Sequence, residues 1–94
     1  MLALIATMKV QAGKEAEFEK VFLALAKEVR AKEPGNHLYT LTKDGDGTYH
    51  VLEIYENEEA LNVHGKTEHF KAAGPKLGPT LAGRPDLKRL TVIG

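Results

Sequence analysis

Ninety-four residues are enough for one small domain over residues 1–94, and such a domain buries only roughly 60–70% of the surface its unfolded chain exposes, so pairing with a second copy is a common remedy. Lys+Arg and Asp+Glu are equal at 13 each, which argues against nucleic acid or an anionic membrane as the main partner, because both select a basic surface. The lack of cysteine excludes a disulfide framework, a thiolate nucleophile, iron–sulfur chemistry and any cysteine-containing zinc site.

The apolar opening from Met1 to Met8 has no basic segment before it. Lys9 interrupts it well short of the ~20 residues a membrane span needs, and no signal-peptidase pattern follows, so the chain reads as cytoplasmic. Leu2–Val10 instead fits a strand buried on both faces, with Leu2, Leu4, Ala6, Met8 and Val10 on one side and Ala3 and Ile5 on the other. Over Lys14–Lys32, Phe18, Val21, Phe22, Leu25 and Val29 recur at spacings of three and four, the stripe of an amphipathic helix. Glu33-Pro34-Gly35 stops it. Asn36–Lys43 and Thr48–Glu56 read as a hairpin joined by the turn Asp44-Gly45-Asp46-Gly47. Asn57 is placed to cap a second helix, Glu58–Ala73, broken or bent at Gly65. Gly74–Pro85, rich in glycine and proline, reads as loop, and Asp86–Ile93 as a last strand.

The order β-α-β-β-α-β predicts an α+β ferredoxin-like fold, with two helices covering one face of a four-stranded antiparallel sheet. In that motif the first and third strands are central, and here both are apolar on both faces. The helices can bury only one face. The other is left as an apolar patch, and its simplest cover is a second copy, giving a homodimer through the open sheet face.

Several residues along the chain form a familiar pattern. The first strand runs into Val10-Gln11-Ala12-Gly13-Lys14, the helix ends in Glu33-Pro34-Gly35, and Tyr39 lies in the next strand. Then come Glu53-Ile54-Tyr55-Glu56-Asn57-Glu58-Glu59-Ala60-Leu61, His64 and the pair His69-Phe70. This resembles the antibiotic-biosynthesis monooxygenase family over nearly the whole chain. The resemblance implies a dimeric α+β barrel with a pocket between sheet and helices. It also implies action on a small aromatic or carbonyl compound without a bound cofactor. Members of that family include quinol and anthrone oxygenases, haem-degrading enzymes and a sugar-phosphate isomerase. The chain has no tryptophan, and Ala73-Gly74 stand where the haem-degrading branch would have its ligating histidine, so small quinols fit better than haem or bulky polyketides.

Oxygenation without metal or flavin requires a substrate anion that can reduce O₂, hence a base, hydrogen bonds to hold the anion and an apolar cavity. His64 is the first candidate base, three and four residues after Leu61 and Ala60 on the inward face of its helix, with Glu68 one turn later to orient it. Glu53 is the second: a carboxylate in a central strand must be paired or face a cavity, and Arg89 is a candidate partner. Tyr39, Tyr55 and Asn36 could donate hydrogen bonds to a substrate oxygen, and Phe22 and Phe70 could line its pocket. His69, five residues after His64, points elsewhere on a regular helix and reads as a surface or dimer contact. His37 and His50 also read as surface. No metal-binding spacing such as His-x-His is present, so no metal is expected. Three functions remain in play: a quinol monooxygenase with His64 as proton acceptor, favoured, an isomerase or tautomerase using the same histidine, and a ligand-binding dimer without turnover.

Overall fold

The structure, a computed structural model, describes all 94 residues. Strand β1 (Leu2–Met8) is followed by α1 (Glu15–Lys32), the hairpin β2 (Asn36–Lys43) and β3 (Tyr49–Tyr55), helices α2 (Glu58–Lys66) and α3 (Glu68–Leu77), a 3₁₀ turn (Gly78–Thr80) and β4 (Asp86–Thr91). The sheet order is β2-β3-β1-β4, antiparallel throughout. This is the ferredoxin-like α+β fold predicted from the pattern of elements.

Hairpin and helix termini follow local chemistry. Asp44 Oδ1 accepts from the backbone N–H groups of Asp46 and Thr48, and Gly47 takes φ 84°, a value that favours glycine. At the end of α1, Pro34 disfavours helical backbone for the residue before it. Glu33 accordingly sits at φ −113°, ψ 92°, extended, while its N–H still bonds Val29 O. Gly35 then brings the chain against α2, so close that a Cβ there would lie 2.6 Å from Ala60 Cβ. These two features place Glu33 beside the second helical segment.

Strand alternation divides the sheet into two faces. The inner face carries Leu4 and Ala6 from β1, Tyr49, Val51, Glu53 and Tyr55 from β3, and Tyr39 from β2, all buried. Against it α1 lays Phe18, Phe22, Leu25, Ala26 and Val29. Phe22 stacks on Tyr39 with centroids 5.5 Å apart and planes within 8°, and Phe18 meets Tyr49 at 4.7 Å. Burying each such large side chain contributes about 1.5–3 kcal/mol, so this layer dominates the stability of the sheet–helix contact.

Two expectations need correction. The second helical region does break, but at Thr67 rather than Gly65, and Thr67 closes α2 and caps α3. Nor is Gly74–Pro85 all loop, since α3 runs on through Gly74 and Pro75 to Leu77 and a 3₁₀ turn follows. Leu77 packs against the core cluster, and that burial outweighs the poor helix propensity of glycine and proline. Strand limits differ from the sequence reading by one or two residues: β1 stops at Met8, with Val10 in an isolated bridge to Leu81. No helix is long and apolar enough to cross a membrane.

Candidate functional site

Between the sheet and α2–α3 lies a cavity of about 390 Å³. Its wall is mostly apolar, and the side chains that could hydrogen-bond or exchange a proton with a guest are those of Tyr39, Glu53 and His64. No lysine or arginine lines it. Phe22 and Phe70 contribute aromatic walls, and Leu87 of the edge strand β4, 63% exposed, marks its open side.

His64 comes from the last turn of α2 and is buried. Its Nδ1 lies 3.0 Å from both carboxylate oxygens of Glu33, so the Nε2 nitrogen is the one left without a protein partner. A carboxylate accepts and cannot donate, so Nδ1 is the nitrogen that donates to Glu33, and in the neutral ring the lone pair is on Nε2. Three tilted aromatic rings also surround it: the centroids of Phe70, Tyr39 and Tyr55 lie 4.7, 5.2 and 5.5 Å away. Glu33, not Glu68, is thus the carboxylate that orients His64. It was missed as a functional residue because sequence patterning gave it a sufficient role in stopping α1.

Glu53 lines the cavity from the centre of β3 and accepts a hydrogen bond from the Tyr55 hydroxyl at 2.6 Å. Burial pushes its carboxyl up to about 7; the Tyr55 hydrogen bond opposes that rise and the nearby Glu33 adds to it. Arg89 does not pair with it, reaching Glu58 instead. Tyr55 is fully buried behind the cavity wall, and burial with the adjacent Glu53 raises its phenol far above the ordinary range. Tyr39 is raised too, by burial first and then by Glu53 and Glu33, so its hydroxyl stays protonated beside the cavity as a donor.

Of the residues singled out in the sequence, His64, Glu53, Tyr39, Phe22 and Phe70 meet on this one cavity. Asn36 does not: it lies beyond the Glu33-Pro34-Gly35 turn with its amide on Leu38 O at 3.1 Å. His69 is not a surface residue either, its side chain being 10% exposed with Nε2 2.5 Å from Glu33 Oε2. His50 is half-buried between Thr7 (3.1 Å) and Asp44 (2.9 Å) on the other sheet face, while His37 is exposed and near Glu56. No group of three or more histidine, cysteine or acidic side chains is arranged to hold a metal ion.

The family model for antibiotic biosynthesis monooxygenases matches residues 1–76. The chain belongs to that family. A Caulobacter crescentus structure named for the same family is 49% identical, covers 99% of this chain and 90% of its own, and superposes with a TM-score of 0.95. The Pseudomonas aeruginosa protein PA3566 is 26% identical over 99% of this chain and 94% of its own, at a TM-score of 0.88. A Nitrosomonas europaea structure, 18% identical with full coverage of both chains and a TM-score of 0.93, shares the fold. No curated protein matches the chain. A monooxygenase family, a ferredoxin-like fold and an apolar cavity open at one side therefore agree.

Proposed function

We propose that the protein oxygenates small, uncharged quinols or related phenols without a bound cofactor, with His64 as the proton acceptor. The observation that carries this reading is the His64–Glu33 pair, whose geometry turns one ring nitrogen into a fixed acceptor beside an apolar cavity. The scarcity of polar groups and the absence of lysine and arginine from its wall favour a neutral aromatic guest over a phosphorylated or carboxylated one.

The chemistry balances without an added reductant. His64 Nε2 takes a proton from a substrate hydroxyl, leaving an imidazolium paired with the Glu33 carboxylate. The substrate anion gives one electron to O₂, and the resulting radical and superoxide combine into a carbon–oxygen bond. His64 returns its proton to the peroxide, which loses water across a carbon–hydrogen bond. One oxygen atom ends as a new carbonyl and the other, with two substrate hydrogens, as water. Tyr39 supplies a hydrogen bond to the developing anion.

A second reading has its own support. Glu53, pushed up to about 7, could act as a proton donor on the same cavity. With His64 as base it would form an acid–base pair able to isomerise a small carbonyl compound. We further infer that the protein is a homodimer through the outer sheet face.

Oxygen uptake by the protein with a panel of hydroquinones and naphthohydroquinones tests the first reading. Uptake should exceed autoxidation, and His64→Ala should lower it by about 10²–10⁴-fold. No uptake across the panel, with turnover of an enolisable ketone under nitrogen, would transfer the assignment to the isomerase reading.

A further inference from the structure

The Glu33 carboxylate serves two histidines. His64 Nδ1 stands 3.0 Å from both of its oxygens, and His69 Nε2 stands 2.5 Å from Oε2. Five residues apart on a regular helix, the two rings would diverge by about 140°. The break at Thr67 removes that divergence. Thr67 takes φ −71°, ψ 153°, its hydroxyl donates to His64 O at 2.9 Å, and it accepts from Phe70 N at 3.2 Å. The result is a carboxylate, only 4% exposed, gripped from two helical segments.

We infer that His69 is a positioning residue that orients the Glu33 carboxylate so that His64 is fixed with its proton on Nδ1 and its lone pair on Nε2. This rests on the reading of His64 as proton acceptor. A glutamate side chain held at one point can rotate, and His64 could then exchange tautomers or turn its ring. A second donor on Oε2 removes that freedom and leaves Oε1 to the base. His69 also lies between Glu33 and an outer groove lined by Glu17, Lys20, Glu28 and Lys76, so its ring separates the carboxylate from those charges. If His69 served only to tie α3 to Glu33, its removal would lower stability but leave the His64 tautomer alone.

Nitrogen NMR of protein labelled with ¹⁵N-histidine reads that tautomer directly. In the wild type, His64 should be protonated on Nδ1 and His69 on Nε2. In His69→Phe, His64 should become a mixture of tautomers and kcat should fall by roughly tenfold with KM nearly constant. His69→Gln, whose amide N–H can reach the same oxygen, should restore both. A folded His69→Phe protein with the His64 tautomer unchanged overturns the assignment. So does a wild-type spectrum in which His69 Nε2 bears no proton, a result independent of how the variant folds. The spectra need no substrate, so absent turnover would count against the proposed reaction and leave this test intact.

Discussion

Glu53 is set in the middle of β3, where burial holds its carboxyl at about 7 against an ordinary 4.5. The folded protein therefore keeps a proton that the unfolded chain has released. Stability from this group is fully present below about pH 4.5 and is lost as pH rises toward and through about 7. Relative to Glu53→Gln, the wild type should lose roughly 1–3 kcal/mol across that window, measured by urea unfolding at stepped pH. Parallel stability curves for the two proteins would mean that the fold does not resist the charge. The place of Glu53 and His64 on the candidate site was legible in the sequence, because a carboxylate in a central strand must be paired or face a cavity and helix spacing put His64 on an inward face. That of Glu33 was not. Its position depends on the extended backbone that Pro34 favours and on the approach of α2 that Gly35 permits, and its partner His64 is 31 residues away. Neither dependence has a periodic signature.

The joint between α2 and α3 joins fold to chemistry at the scale of elements. Thr67 caps α3 by accepting from Phe70 N and steadies the end of α2 through His64 O. Thr67→Ala should cost about 1 kcal/mol, a fall in Tm of about 4–8 °C followed by circular dichroism. It should also loosen the Phe70 ring on His64, so a Tm unchanged within error would show that the break is held by packing alone. Gly35→Ala tests the other side of the site: with 2.6 Å to the Ala60 Cβ, α2 must move away. Activity should fall along with stability, as His64 is drawn from Glu33, and a variant as active as wild type would place the base elsewhere. Four strands and the first helix were readable from alternation, the 3.6-residue stripe and the glycine turn. The second helical region was readable as helix from Glu58, but its break at Thr67 was not, because Gly65 was the more conspicuous breaker. A threonine followed by Glu68 is an ordinary helix start that could have marked the joint. The extension through Pro75 depends on a tertiary contact of Leu77, which no local rule contains.

At the scale of the molecule the two sheet faces make opposite demands. The inner face is closed over a core by α1 and over a cavity by α2 and α3. The outer face receives no helix. Strand register puts Ala3 and Ile5 of β1 beside Ile54 and Leu52 of β3, flanked by Leu38 of β2 and Leu90 of β4. Leu38, Leu52 and Leu90 are 36–39% exposed in the single chain, an uncommon state for adjacent apolar side chains on a small protein. A second copy set face to face would remove this surface from water. Sedimentation equilibrium at micromolar concentration should then give about twice the 10.3 kDa of one chain. Leu52→Asp puts a charge where pairing would require its desolvation, and should halve that mass. Because Leu52 points away from the cavity, the variant should keep its far-ultraviolet circular dichroism and its His64 tautomer. A single-chain mass for the wild type, or a dimer indifferent to the aspartate, would remove this face as the contact. A monomeric variant with its His64 tautomer intact would show that one chain alone assembles the Glu33–His64 pair.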